Sequence, residues 1–273
     1  MIYISHIISG QFNIIILFTY LTAVFFAFVE NVFPQTSYPK KLLISHHRTK
    51  RWARNIGLYF INVLLSPLYK IIPLFIAAHL AIQNTFTNNP IYIVLGILLL
   101  DLSLYVDHWL DHHLPFFWAF HRVHHMDEFL DITSAFRFHM FETTRTTIVQ
   151  SLIIILLGLS HLTVIVFLFI AHFILIYEHS NIRINRKLEK LIGLMFITPE
   201  MHWVHHNATL PQTNTNYGVI FSFWDRLFGT LSATIRSDKI IIGLSHIPDQ
   251  SIFKLIIFPF VKVRSKALFK SKA

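Results

Sequence analysis

Long uninterrupted apolar runs restrict this chain more than any other feature. Gly10 to Phe33 is about two dozen residues with almost no charge, enough to cross a bilayer core that needs roughly 20. A second run extends from Asn55 to Gln83, a third from Ile91 to about Tyr105, and a fourth from Thr146 to Tyr177. With 54% hydrophobic residues, 27 phenylalanines and a mean hydropathy of +0.54, the chain is too apolar for an ordinary soluble domain. An all-α integral membrane protein is expected.

The polar segments set its orientation. Lys40, Lys41, Arg48, Lys50, Arg51 and Arg54 form a basic loop after the first span, which the positive-inside rule puts in the cytoplasm. Pro67, Lys70 and Pro73 interrupt the second run, so it reads as one broken crossing or as an interfacial helix followed by a short membrane helix. The broken crossing is preferred. The uncharged link Asn84 to Pro90 then lies on the far side, and the third run returns the chain so that His108 emerges on the cytoplasmic face. The fourth run is broken at Gly158, Ser160 and His161 into two arms short for full spans, which suggests a hairpin, residues 146–178, dipping into the bilayer. Arg183, Arg186, Lys187 and Lys190, and the tail from Phe253 with its interspersed lysines, suggest helices lying on the membrane surface. Three units are expected: residues 1–89 with N-terminal membrane helices and the basic loop, 90–230 with the hairpin and the functional residues, and 231–273 as a basic amphipathic tail. Residues 1–9 carry no Lys or Arg and read as the lead-in to the first span rather than as a secretory leader. The net charge of +9 fits an anionic membrane surface better than nucleic acid, which is not an expected partner.

Eight histidines fall into three clusters, His108 with His112, His121 with His124 and His125, and His202 with His205 and His206. Steps of three or four residues put such side chains on one helical face, where imidazoles converge on metal. Eight exceed the four ligands of one tetrahedral zinc site, so two metal ions are expected, and the eight form the expected catalytic centre. His139 and His179 flank the apolar hairpin and are candidate further ligands; His113 competes with His112, whose fourth-residue spacing is the better fit. His172, two turns before His179, could reach inward but reads better as a packed residue, and His6, His46, His47, His79, His161 and His246 read as surface or packed residues. Asp101, Asp107, Asp111, Asp127, Asp131, Glu142, Glu178 and Glu200 are close enough in sequence to accept the far N–H of a ligating imidazole. The chain has no cysteine, which excludes disulfides, iron–sulfur clusters and thiolate zinc sites.

Ordered blocks across residues 90 to 230 resemble the fatty acid hydroxylase/sterol desaturase superfamily. They are Asp101 through His108 to His112, Leu114-Pro115 through His121 to His125, Asp131 through Arg137 and His139 to Glu142, His179-Ser180-Asn181, Thr198-Pro199 through His202 to His206, Asn216-Tyr217-Gly218, and Trp224-Asp225 through Gly229-Thr230. Arg51-Trp52 and Arg54-Asn55 fit more weakly. Trp109, Met140, Trp203 and Asn214 depart from the common pattern without touching the histidines. The resemblance implies a membrane di-iron enzyme that uses O₂ and two electrons to hydroxylate or desaturate a lipid C–H position. It also implies that the three clusters, with His179 and His139, hold the irons. Only 43 residues follow Thr230, so no haem domain is expected, and electrons are expected from a separate ferredoxin or cytochrome b5 type protein. Such a protein would reside in the cell membrane of a bacterium or the endoplasmic reticulum of a eukaryote, with its site on the cytoplasmic face.

Two rival classes make different demands. A zinc-dependent membrane hydrolase would work without an electron donor, and a His-rich metal transporter would spread its ligands along a path through the bilayer. The clusters gather instead at helix ends on one face.

Overall fold

The computed structural model describes residues 2–37, 45–69, 89–237, 239–244 and 247–261. Among them the chain is helical, with isolated β-bridges in place of sheets. Two long N-terminal helices are α1 (Ile2–Val32) and α2 (Ser45–Tyr69); α3 (Pro90–His113) and α4 (Pro115–His125) follow as an elbow. A 3-10 turn at Ile132–Phe136 leads into the hairpin of α5 (Met140–Leu157) and α6 (His161–His179). Short helices α7 (Arg186–Ile192), α8 (Pro199–His205), α9 (Phe223–Leu227) and α10 (Ile252–Ile257) complete the fold.

The breaks between helices have local causes. Asn89 caps α3 by accepting from the Ile91 N–H, and Pro90 opens the first turn, where a missing N–H costs nothing. Pro115 opens α4 in the same way, with only Leu114 between it and the end of α3, so two histidine-bearing helices meet at a corner. Gly158, at φ 58°, ends α5 in the left-handed region, and Ser160 caps α6 through the Thr163 N–H.

Among the described residues, four helical segments are long and apolar enough to cross a membrane: Asn13–Val32 of α1, then α3, α5 and α6. The hairpin arms, at 18 and 19 residues, exceed what the apolar run alone indicates. The reason is that α5 begins at Met140, in a turn whose Glu142 and Arg145 lower its hydropathy but are both paired inside the protein. The outer faces of these helices are apolar: Tyr20, Phe28, Leu152 and Leu156 are exposed, the last at 79%. So much exposed hydrocarbon fits a lipid surround. Inside, α1 meets α6 through edge-to-face pairs Phe18–Phe169 and Phe26–Phe173, and α3 meets α6 at Gly96, where an added Cβ would lie 2.6 Å from Thr163. Leu100, Phe167, Ile176 and Ile220 fill the shared core.

The chain is therefore a helical membrane protein carrying histidine clusters suited to metal. The continuation of the second apolar run past Tyr69, the link 84–88, and the tail beyond residue 261 lie outside the described residues, as do His79, His246 and the side chains of His6 and His46. On the described surface α7 is basic and presents exposed Leu188 and Leu191, the composition expected of a helix at a lipid interface.

Candidate metal centre

Four helix ends converge. The last turns of α3 bring His108 and His112; α4 brings His121, His124 and His125; α6 ends on His179; α8 with its cap brings His202, His205 and His206. The nine imidazoles sort into two groups. His108, His112, His121, His125 and His205 form one, and His124, His179, His202 and His206 the other, with one ring nitrogen from each lying within 4.8 Å of the rest of its group. The third and fourth helix-turn spacings split α4 and α8 between the groups: His121 and His125 face one, His124 the other.

Hydrogen bonding fixes which nitrogen points inward. His108 Nδ1–H donates to the Tyr217 carbonyl at 2.9 Å, His205 Nδ1–H to Thr215 at 2.7 Å, His124 Nδ1–H to Arg137 at 3.1 Å and His179 Nδ1–H to Leu175 at 2.7 Å. A carbonyl only accepts, so each of these neutral rings has its proton on Nδ1 and a bare lone pair on Nε2. Yet the Nε2 atoms of His108 and His205 lie 3.0 Å apart, and those of His124 and His179 3.1 Å apart. Two lone pairs at that distance repel unless a cation sits between them. The same crowding recurs between the Nε2 atoms of His121 and His125, 3.1 Å apart, and at His202 Nε2, which lies 2.9 Å from His179 Nε2 and 3.0 Å from His206 Nε2. The donor set thus fits two metal ions of the imidazole-binding class. Burial pushes His121, His124, His125, His202, His205 and His206 well below the usual histidine range, reinforced by neighbouring imidazoles, so the rings are neutral as ligation requires.

Outer residues hold these rings. His121 Nδ1–H donates to Glu142 Oε1 at 2.8 Å, and Asp111, which stands 3.8 Å from the same nitrogen, is clamped by Arg145. Glu178 lies 3.6 Å from His179 Nδ1 and 3.8 Å from His202 Nδ1. Asp225 accepts the N–H groups of Tyr217 (2.7 Å) and Gly218 (2.9 Å), which aims the Tyr217 carbonyl back at His108. The Asn-Tyr-Gly motif follows from that geometry. Asn216 takes φ 57°, a region asparagine tolerates; Gly218 leaves room for the Asp225 carboxylate, which an added Cβ would approach to 2.9 Å. On the other flank Arg51 pairs with Asp127 at 2.7 Å and with Asp131, all three buried, and Asn55 bridges Asp127, Thr133 and Arg137. Burial works to raise the Asp127 carboxyl, but Arg51 and Arg137 outweigh it and hold it below the usual carboxylate range.

Other nominated residues lie elsewhere. His139 joins neither group: its Nδ1 accepts from the Phe141 N–H as the N-cap of α5, and its Nε2–H donates to the Ile256 carbonyl at 3.0 Å, so both nitrogens are used away from the centre. His113 is exposed and stacks on Trp109. Asp101 does not reach an imidazole; it accepts from the N–H groups of Ile220 and Phe221 and from Trp224 Nε1, pinning the segment after the Asn-Tyr-Gly motif. Asp107 pairs with Arg145 and Thr146. The backbone carbonyls of Thr215 and Tyr217 and the Asp225 brace carry no signal in composition or spacing, and only the motif's resemblance marks them.

A cavity of about 330 Å³ opens between α3, α5 and α6 with His108, His121, His124, His179 and His202 at its floor. Leu104, Phe167, Leu168 and Leu175 form apolar walls. A second, mostly apolar groove of about 570 Å³ lies between α1 and α6, lined by Phe18, Phe169, Phe173 and Tyr177.

Comparison with known proteins gives one consistent answer. The chain is 30% identical to ornithine lipid hydroxylase OlsE of Rhizobium tropici over 183 residues, 66% of this chain and 54% of that protein. It is 34% identical to alkylglycerol monooxygenase of Danio rerio over 155 residues, 56% of this chain and 32% of that one, and 24% identical to cholesterol 25-hydroxylase of Rattus norvegicus over 153 residues, 56% and 50%. The chain thus spans between a third and about half of these relatives. No solved structure matches it. Residues 93–230, which contain the nine converging histidines and the cavity, match the fatty acid hydroxylase family, and the chain belongs to that family.

Proposed function

We propose that this protein is an O₂-dependent lipid hydroxylase whose centre is two iron ions held by His108, His112, His121, His125 and His205 on one side and His124, His179, His202 and His206 on the other. The observation that carries the reading is the pairing of two all-imidazole groups with a cavity that opens between apolar helices. Iron bound there supplies, with O₂ and two electrons, the oxidising power to break an unactivated C–H bond. The rest is the work of the chain. Carbonyls of Tyr217, Thr215, Arg137 and Leu175 hold the Nε2 lone pairs inward, Glu142 orients His121, and Leu104, Phe167 and Leu175 exclude water and fix the inserted hydrocarbon. The relatives act on lipids and are named hydroxylases and monooxygenases, which favours an alcohol over an alkene product. Substrate enters from the bilayer, electrons arrive from a separate ferredoxin or cytochrome b5 type donor, and the histidine face is cytoplasmic.

Metal analysis of the purified protein, followed by oxygen consumption with a reducing system and mass spectrometry of membrane lipids, tests the reading. Two irons per chain and a gain of one oxygen atom in a lipid are expected. Stoichiometric zinc with turnover under anaerobic conditions would overturn it in favour of a hydrolase.

A further inference from the structure

The cavity is not uniformly apolar. Thr143, Thr147 and Gln150 stand at positions i, i+4 and i+7 of α5 and all line it, while Ile148, Leu152 and Leu156 on the same helix are exposed on the outer face. A membrane helix that turns a polar stripe toward an internal space marks a functional path more often than a packing accident. The two threonines are accounted for, since Thr143 Oγ1 donates to the Met140 carbonyl and Thr147 Oγ1 to that of Thr143. Gln150 is different. Its carboxamide makes no hydrogen bond among the described residues, although it lies well inside a helix suited to cross the bilayer and lines the cavity together with Leu168, Ala171, His172 and Leu175 of α6, of which His172 is bonded to the Leu168 carbonyl. The side chain is half-buried, so its two donors and one acceptor are open to the cavity rather than enclosed by protein, and a polar group entering the cavity comes within their reach.

We propose that Gln150 is a specificity-determining residue that hydrogen-bonds a polar group within the inserted part of the substrate. The substrate is then a lipid carrying a hydroxyl, ester, ether or amide in the segment that threads between α5 and α6, not one with a plain hydrocarbon tail there. Gln150 is eight positions beyond Glu142, which bonds His121, so the polar group sits roughly 12 Å along the helix axis from the level of the metal centre. The oxidised carbon and the recognised group are therefore separate points on one lipid. This inference rests on the hydroxylase reading above and names its substrate class.

The test uses the full chain in phosphatidylcholine nanodiscs and two single-chain photoactivatable probes of equal length, one with a mid-chain amide and the other with methylenes in its place. Half-saturation of labelling is expected at about tenfold lower concentration for the amide probe, the effect of one hydrogen bond of ordinary strength. Gln150→Leu is expected to abolish that preference, bringing the two probes to equal half-saturation; Gln150→Met serves the same purpose if the leucine variant does not fold. Equal half-saturation of the two probes in the native chain overturns the inference, as does a preference that survives either variant. Iron content and oxygen consumption are measured on the same preparations. Absence of iron with an intact amide preference defeats the hydroxylase reading alone, and an iron-loaded, oxygen-consuming chain indifferent to the amide defeats the Gln150 inference alone.

Discussion

The His108 imidazole hangs from the Tyr217 carbonyl by a 2.9 Å hydrogen bond, 109 positions apart in sequence, and this contact decides which of its nitrogens faces His205. Asp225 holds that carbonyl in place by accepting the Tyr217 and Gly218 N–H groups. Asp225→Ala is therefore expected to weaken metal binding by about 10- to 100-fold, the usual cost of losing a group that orients a ligand. Gly218→Ala acts on the same brace, since its Cβ would press on Asp225 and on the Phe221 carbonyl, 2.8 Å away. Competition with a chelator of known affinity measures both; native affinity in both variants would remove the brace from the account.

The division of nine histidines into a five and a four predicts unequal dependence of two metals on single residues. His124→Ala leaves its group with three imidazoles, His179, His202 and His206, whereas His205→Ala leaves four. We expect each variant to lose turnover, with His124→Ala retaining about one metal ion per chain, because three donors are fewer than an all-protein tetrahedral site uses, and His205→Ala retaining about two, since four donors remain. Elemental analysis after gel filtration checks this. Identical metal content in both variants and the native protein would contradict the grouping.

How much of this is legible in the sequence depends on how local the cause is. The corner at Pro115 and the hairpin break at Gly158 and Ser160 are written in cap residues beside them. The three histidine clusters are readable because helical periodicity alone puts their members on one face. The true start of α5 is not, because hydropathy counts Glu142 and Arg145 as polar and does not see that His121, Asp107 and Asp111 are waiting for them. His139 is the instructive residue. It sits in the resembling block and looks like a ligand, yet its two nitrogens are committed to Phe141 and Ile256, and a partner 117 positions away is beyond any local pattern. Gln150 is similarly silent, since a lone glutamine in an apolar run acquires meaning only when the cavity it faces is known.

Arg51 is fully buried between Asp127 and Asp131, and it also donates to the Phe129 carbonyl at 2.8 Å. Removing one partner of a buried pair leaves the other charge uncompensated, which costs about 3–5 kcal/mol. Arg51→Ala is expected to destabilise the protein by that order and to lower its yield in membranes, and Arg51→Met to do no better, because Asp127 and Asp131 remain. Thermal unfolding in detergent gives the comparison; a melting temperature within about 2 °C of native, under 1 kcal/mol for a chain this long, would show that the network is dispensable.

His139 supplies a pH signature that separates it from the two converging histidine groups. Burial, opposed by the bond to Ile256, holds its folded pKa below the ordinary 6.5, and the neutral ring is what lets Nδ1 accept the Phe141 N–H. With the folded value depressed, the unfolded chain takes up a proton at this position before the folded one does, so stability is full above about 6.5 and falls as pH drops below it. His139→Asn keeps a capping acceptor and removes the titration. The variant is expected to retain both metals and turnover, and the difference in melting temperature between pH 7.5 and 5.5 is expected to be smaller than in the native protein. Loss of a metal ion in His139→Asn would make His139 a ligand after all, and an unchanged pH difference would place the acid sensitivity elsewhere.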